Sequence, residues 1–259
     1  MTDWLRRLSP PGPARARVLC LPPGGGSAQL YQRWPALLGA DLDVVAVELP
    51  GRGERSLEAP LTRMTDVVAG VVGALDALDD LPLVVFGHSM GAVVGWELCR
   101  ELRATGRAVP AGLVVAGAAA PGAPDAARPR GPVTDAELVG LITSSDGLPP
   151  GTSLDPLLLG YLLPVLRADL AVVNDFRPDP RPPLPCALRV YLGADDVTVP
   201  AEEAEPWAAE VEGPVVVRTF PGGHFFPRDE EAAVLARLRL DVLDCTGLAT
   251  GTPTAGDRA

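Results

Sequence analysis

A serine between two glycines is the first feature of this sequence that could do chemistry. The string Gly-His-Ser-Met-Gly covers residues 87–91, directly after the apolar run 83–86 and directly before a helical pattern. In such a strand-turn-helix arrangement the small glycines permit a strained turn that presents the serine hydroxyl to a substrate. Ser89 is therefore the candidate nucleophile, suited to attack on a carbonyl carbon.

A serine nucleophile needs a general base, and the sequence contains only 2 histidines. His88 stands beside the serine within the turn, where we expect its side chain to point away from Ser89 and pack structurally. His224 lies in Phe-Pro-Gly-Gly-His-Phe-Phe, residues 220–226, after the apolar run 215–220. The glycines of this loop let the backbone bend sharply, so His224 is the predicted base.

A carboxylate must orient the histidine and stabilise its protonated form. Gly-Ala-Asp-Asp-Val-Thr-Val-Pro, residues 193–200, follows the apolar run 188–192, and either Asp195 or Asp196 could reach His224. The pattern Gly-x-x-Asp-x-x-Val-Pro favours Asp196 and leaves Asp195 as a turn former. The chain order serine, aspartate, histidine is that of the α/β-hydrolases.

Two backbone N–H groups are expected to hold the oxyanion that forms when a serine attacks a carbonyl. The first is that of Met90, directly after the nucleophile. The second should come from Pro-Pro-Gly-Gly-Gly-Ser, residues 22–27, with Gly24 as first choice and Gly25 as second. A phosphate-cradling role for these glycines is disfavoured, since the chain lacks the Gly-x-x-x-x-Gly-Lys string and contains no lysine.

The apolar runs alternate with helical patterns along the chain, and this alternation predicts a mostly parallel sheet flanked by helices, an α/β fold. Periodicity and flanking residues set the predicted bounds. The strands are expected at 18–21, 44–49, 83–86, 113–116, 188–192 and 215–220, and the helices at 27–38, 64–78, 90–105 and 229–242.

Some 70 residues separate the fourth strand from the fifth, far more than one crossover needs, which predicts a helical lid insertion at about 121–182. A Pro/Gly/Ala linker at 121–132 precedes a helix at 134–143, where Thr134 and Glu137 form a capping-box pattern. A second helix at 155–176 contains the leucine-rich run 157–166. This run suits either ordinary core or an apolar lid that faces an acyl chain, and different faces of the helix could serve the two roles. We expect a single domain over 1–245 and a disordered tail at 246–259.

Charge and cysteine usage exclude several classes of function. The chain of 259 residues has a formal net charge of -11, which argues against a nucleic-acid binder and against a protein of anionic membrane surfaces. Four dispersed cysteines with only two histidines suggest neither a disulfide framework nor a metal site. The N-terminus has no apolar leader segment, so a cytoplasmic protein is expected.

Several strings taken together resemble the type II (external, editing) thioesterases of polyketide and nonribosomal peptide biosynthesis. The more specific ones are Leu-Pro-Gly-Arg-Gly-Glu-Arg at 49–55 and Leu-Pro-Val-Leu-Arg-Ala-Asp-Leu at 163–170; the glycine-rich loop, the serine turn and the aspartate and histidine loops complete the set. Arg52, Arg55 and Arg167 lie within these strings, and no catalytic role is assigned to them.

The resemblance implies an α/β-hydrolase fold and a serine thioesterase with Ser89, Asp196 and His224 as its triad. The implied substrates are acyl groups on the phosphopantetheine arm of acyl or peptidyl carrier proteins, which such enzymes clear when chains are aberrant or stalled. It implies no metal and no cofactor beyond the arm that the substrate carries. We further expect a monomer that binds neither nucleic acid nor membranes.

Carrier proteins are generally acidic, as this chain is, so a carrier should be recognised locally by arginines. The candidates are Arg128 and Arg130 in the insertion, or Arg100, Arg103 and Arg107 on and after the helix that follows Ser89, although a solvated face is the simpler interpretation. Three alternatives stay open: a carboxylesterase or lipase with the same triad, a chain-releasing or macrocyclising terminal thioesterase, and a noncatalytic binding protein with a hydrolase fold.

Overall fold

A single twisted sheet organises the part of the chain that the computed structural model describes, which comprises residues 3–121, 133–144 and 154–248. The strand order is β1-β3-β2-β4-β5-β6-β7. All pairings from β2 to β7 are parallel, and only β1 runs antiparallel, against β3. The strands are β1 (Leu5–Arg7), β2 (Ala16–Leu21), β3 (Leu42–Val47), β4 (Leu83–His88), β5 (Gly112–Ala116), β6 (Ala187–Gly193) and β7 (Val215–Phe220).

Helices cover both faces of the sheet, as the burial of its central strands requires. In chain order they are α1 (Trp34–Leu38), α2 (Met64–Leu75), α3 (Met90–Ala104), α4 (Asp135–Ser144), α5 (Pro156–Asn174), α6 (Phe226–Asp229) and α7 (Glu231–Cys245). Residues of α2 and α3 join one core cluster with alternate residues of the strands, and residues of α1 and α7 join the other. This arrangement is the mostly parallel, helix-flanked sheet that the sequence predicts.

The strands fall within about two residues of their predicted bounds, but one predicted helix is wrong. In place of a continuous helix over 27–38, the chain forms a 3₁₀ turn at Ala28–Tyr31 and then the short α1. Pro35 lies in the first turn of α1, where a residue without an N–H costs the helix no hydrogen bond. Four elements were not predicted: β1, the short helix α6, and the 3₁₀ segments Gly53–Arg55 and Ala201–Glu210.

The insertion contributes α4 and α5, and its linker at 122–132 lies outside the described residues. The capping box at the start of α4 is confirmed: Glu137 N–H donates to Thr134 Oγ1, and Thr134 N–H donates to the Glu137 carboxylate. The leucine-rich run divides between the two predicted roles. Leu157 is 87% exposed and Val165 is buried, while Leu162 and Leu166 line a cavity.

By length and composition α5 could also cross a membrane, with a mean hydropathy of 1.7 over 18 residues. In this fold it packs instead against α3 and α4, and its second half is partly buried in the protein. We therefore interpret α5 as a lid helix of the domain. The tail beyond residue 248 is not described, so the predicted bounds 1–245 and 246–259 stay predictions.

Candidate active site

Ser89 occupies a strained turn between β4 and α3. Its φ of 52° is positive, and no other non-glycine residue within the described ranges has a positive φ. Close backbone approach explains the flanking glycines: a Cβ at Gly87 would lie 2.2 Å from the carbonyl oxygen of Gly91, and a Cβ at Gly91 would lie 2.2 Å from that of Leu21. The turn holds the Ser89 side chain at the carboxyl edge of the sheet, where it lines a cavity.

His224 and Asp196 meet above the carboxyl ends of β7 and β6. The Nδ1 of His224 lies 2.8 Å from Oδ2 of Asp196. Their loops are joined by backbone hydrogen bonds, in which Ala194 N–H donates to the Phe220 carbonyl and Asp195 N–H to that of Gly222. Because these bonds fix the loops, the two side chains are held in contact by the backbone.

The second carboxylate oxygen of Asp196 is also fully engaged. Oδ1 accepts hydrogen bonds from the backbone N–H of Thr198 at 2.8 Å, the Thr198 hydroxyl at 2.6 Å and the N–H of Val199 at 3.2 Å. Burial alone would raise the pKa of Asp196. The hydrogen bond from His224, the charge of His224 and the hydrogen bonds from Thr198 outweigh burial and lower that pKa to about 2. Asp195, by contrast, is exposed.

His88 is buried beneath the site and bonded to its loop. Its Nε2 lies 2.8 Å from the backbone carbonyl oxygen of His224, so the ring donates to that carbonyl. Burial, reinforced by the nearby His224, lowers the pKa of His88 to about 3. The ring is therefore neutral at physiological pH and supports the histidine loop, in agreement with the structural role predicted for it.

The glycine-rich loop after β2 faces the same cavity as Ser89. Gly25 N–H donates to Oδ2 of Asp169 at 2.7 Å, and Gly26 N–H donates to the carbonyl of Pro23. The N–H of Gly24, in contrast, makes no hydrogen bond to any residue of the described ranges. Met90 is the first residue of α3, so its N–H has no acceptor within the helix. Gly24 and Met90 are thus the two N–H groups of the predicted set that remain available.

A buried ion pair ties the lid to this loop, and sequence reasoning gave no role to its arginine. Arg52 NH1 lies 2.5 Å from Oδ2 of Asp169, and Arg52 NH2 lies 2.8 Å from Oδ1. Both side chains are 3% exposed. Since Asp169 belongs to α5 and also accepts from Gly25, one carboxylate connects the lid helix, the loop at 49–55 and the glycine-rich loop. The two most specific strings of the sequence meet in this contact.

Ser89 and His224 open onto a largely apolar cavity of about 620 Å³. One wall comes from the lid, and the triad candidates line the same cavity, so an apolar compartment adjoins the reactive groups. The lid residues that line it are Leu141, Ile142, Leu162, Leu166, Leu170 and Val173. Within the described ranges, no group of three or more His, Cys, Asp or Glu side chains could hold a metal ion.

The thioesterase domain family matches residues 16–240, which is most of the chain. The chain belongs to this family. It is 30% identical over 226 residues to the gramicidin S biosynthesis protein GrsT of Aneurinibacillus migulanus, an alignment that covers 87% of this chain and 88% of the relative. The predicted enzyme class, a hydrolase of thioester bonds, is thereby confirmed.

Solved structures agree with this assignment. The type II thioesterase BorB from the borrelidin biosynthetic cluster has a TM-score of 0.82 at 33% identity, covering 92% of this chain and 97% of that structure. RedJ, a thioesterase from the prodiginine pathway of Streptomyces coelicolor, has a TM-score of 0.80 at 33% identity, covering 89% of each chain. The predicted resemblance to type II thioesterases and the α/β-hydrolase fold are confirmed.

The arginines suggested for carrier recognition have other partners. Arg100 is buried, pairs with Glu97 and lies over the Trp96 ring, so the solvated face expected for it is wrong. Arg103 pairs with Glu212, and Arg107 with Asp76. The C-terminal end of α3 lies about 20 Å from Ser89 at 1.5 Å per residue, remote from the cavity. Arg128 and Arg130 lie outside the described residues.

Proposed function

We propose that Ser89, His224 and Asp196 form the catalytic triad of this thioesterase, with Met90 and Gly24 as its oxyanion donors. The observation that carries the proposal is the 2.8 Å contact between His224 Nδ1 and Asp196 Oδ2, at a cavity that Ser89 also lines. Asp196 and not Asp195 serves as the acid in this scheme, because Asp196 contacts His224 while Asp195 is exposed.

In the first half of the reaction Ser89 Oγ attacks the thioester carbonyl while His224 Nε2 takes its proton. Asp196 accepts the bond from Nδ1–H, which selects the tautomer with a free Nε2 and stabilises the imidazolium. The N–H groups of Met90 and Gly24 hold the negative oxygen of the tetrahedral intermediate. The C–S bond then breaks, and the thiol leaves with the proton from His224.

In the second half a water molecule gives a proton to His224 and attacks the acyl-serine. The tetrahedral intermediate collapses with return of the proton to Ser89 Oγ, which releases a carboxylic acid and free enzyme. These steps need only groups of the protein and water. They require no metal and no cofactor.

The proposed substrates are acyl groups bound to the phosphopantetheine arm of an acyl or peptidyl carrier protein. The relatives support this class, since their names place them in gramicidin S and borrelidin biosynthesis. The apolar lid wall suits an acyl chain next to the thioester carbon. Hydrolysis there would clear a carrier that bears an aberrant or stalled acyl group. We propose that the enzyme acts as a cytoplasmic monomer with one hydrolase domain over 1–245.

A labelling experiment tests the triad directly. A fluorophosphonate should modify Ser89 covalently, and Ser89→Ala should abolish both labelling and turnover. Ser56→Ala provides a matched control, because Ser56 is exposed and is not among the residues that line the cavity. Turnover by Ser89→Ala at the unaltered rate would refute the catalytic assignment and revive the noncatalytic binding alternative.

The choice between thioesters and oxygen esters is tested by substrate comparison. The proposed function requires kcat/KM to be highest for acyl-carrier proteins, lower for acyl-N-acetylcysteamine thioesters and lowest for p-nitrophenyl esters. Mass spectrometry of the intact carrier would show loss of the acyl group. A preference for p-nitrophenyl esters would favour the carboxylesterase alternative, and cyclic products would favour a terminal thioesterase.

A further inference from the structure

The hydroxyl of Thr198 lies between the acid and the base of the proposed triad. Its Oγ1 is 2.6 Å from Oδ1 of Asp196 and 2.9 Å from Nδ1 of His224. Nδ1 is in turn 2.8 Å from Oδ2 of Asp196. The three side chains therefore form a closed triangle of polar contacts, which the usual description of a serine triad does not include.

The donors and acceptors of this triangle can be assigned from chemistry. An ionised carboxylate only accepts, so the Thr198 O–H must donate to Asp196. The remaining lone pairs of Oγ1 face Nδ1, where the proton is already donated to Oδ2. Nδ1–H thus has two acceptors, the carboxylate and the hydroxyl oxygen.

The contacts of Thr198 separate cleanly into backbone and side-chain parts. Asp196 Oδ1 also accepts from the backbone N–H of Thr198 and from that of Val199. Replacing Thr198 by valine keeps the shape of the side chain and both backbone donors, and removes only the hydroxyl. The loop is held besides by its bonds to the histidine loop, so this substitution should leave the fold intact.

We propose that Thr198 is a positioning residue of the active site, whose hydroxyl fixes the carboxylate of Asp196 and the ring of His224 in their reactive orientation. The inference rests on the proposed function of that pair. Thr198 also lines the cavity, but both contacts of its hydroxyl are with Asp196 and His224. Loss of the hydroxyl should therefore lower kcat and leave KM for small thioesters unchanged.

Kinetics of three variants provide the first test. Thr198→Val should lower kcat about tenfold, the typical effect of losing a hydrogen bond to a charged group. Thr198→Ser, which keeps the hydroxyl, should restore most of the activity. Thr105→Val is the matched control, because Thr105 bonds only backbone carbonyls at the far end of α3. Equal activity of Thr198→Val and the wild type would overturn the proposal.

Nuclear magnetic resonance provides a second readout, independent of turnover. The chain has only 2 histidines, so the Nδ1–H proton of His224, which is donated to Asp196, can be assigned by comparison with His88→Gln. Loss of the 2.6 Å bond concentrates the negative charge of Asp196 on its contact with the ring.

The Nδ1–H resonance of His224 should therefore move downfield in Thr198→Val, as its hydrogen bond to the carboxylate strengthens, and return in Thr198→Ser. A fall in kcat without this shift would identify a merely structural role and overturn the proposal. If the resonance shifts in Thr198→Val but Ser89→Ala retains full activity, the catalytic triad is refuted while the contacts of the triangle are confirmed.

Discussion

At the scale of single residues, Asp195 and Asp196 have the same chemistry and differ in environment. Asp196 is 7% exposed and accepts four hydrogen bonds, whereas Asp195 faces solvent. Removing the charge of Asp196 would leave His224 in the wrong tautomer or orientation. We expect Asp196→Asn to lower kcat by about 10⁴-fold, as the loss of a triad carboxylate does elsewhere.

Asp195→Asn is the matched control for this prediction, since it makes the same change one residue away. It should alter kcat less than about twofold. The measurement is steady-state hydrolysis of an acyl-N-acetylcysteamine thioester. A large loss in Asp195→Asn with full activity in Asp196→Asn would reverse the assignment of the acid.

His88 leads to a prediction about stability and pH. Its pKa is lowered from 6.5 to about 3 by burial, so below pH 6.5 the unfolded chain binds a proton that the folded chain does not. Stability is then fully present above about pH 6.5 and is lost as the pH falls toward 3. The contribution of His88 should approach about 1.4 kcal/mol per pH unit within this window.

His88→Gln is the variant that isolates this effect, because its amide can donate to the His224 carbonyl and does not titrate. Its free energy of unfolding, from urea titrations between about pH 6.5 and 4.5, should fall less steeply with pH than that of the wild type. Parallel slopes for the two proteins would show that His88 titrates normally in the fold.

A site residue can be predicted from sequence when a local sequence pattern marks it. Ser89, Asp196 and His224 each follow an apolar strand within a distinctive loop, so local patterns mark them. The position of Thr198 against His224 spans 26 residues and depends on how β6 and β7 pair. No local sequence pattern predicts this contact, so the role of the Thr198 hydroxyl could be inferred only from the three-dimensional structure.

At the scale of secondary structure, the ion pair between Arg52 and Asp169 joins the lid helix α5 to the loop after β3. Both groups are buried, and two hydrogen bonds join them. Removing one partner of such a pair leaves an uncompensated buried charge, which costs about 3–5 kcal/mol. We expect Asp169→Asn to lower the free energy of unfolding by this amount in urea denaturation.

Asp135→Asn is the control for the lid, because Asp135 pairs with Arg167 on the surface of the insertion, where both side chains are well exposed. Exposed pairs contribute about 0–1 kcal/mol. A similar small loss in both variants would mean that α5 is held by its apolar contacts alone.

The elements themselves were predictable to different degrees. Strands β2 to β7 are short apolar runs bounded by turn residues, so periodicity and composition were sufficient. The stretch 27–38 has helical periodicity, but Pro35 forces a new helix start and divides it. The three-residue β1 pairs with β3 from about 40 positions away, and so short an edge strand has no period of its own.

At the scale of the whole molecule, the net charge of -11 must act on any encounter with a protein partner. The arginines that could oppose it locally are largely engaged, since Arg103 and Arg107 pair with carboxylates and Arg100 is buried. Because carrier proteins are generally acidic, approach of the proposed substrate is opposed by long-range repulsion. Salt screens that repulsion, with a Debye length of about 10 Å at 0.1 M.

The KM for an acyl-carrier substrate should therefore fall as ionic strength rises from about 0.02 M to about 0.2 M, while kcat stays constant. An acyl-N-acetylcysteamine thioester, which has no carrier, should show no such change and controls for effects of salt on the enzyme. A KM that rises with salt would mean that attraction dominates. Arg128→Glu with Arg130→Glu would then test whether the insertion supplies it, since these substitutions should raise KM for the carrier substrate alone.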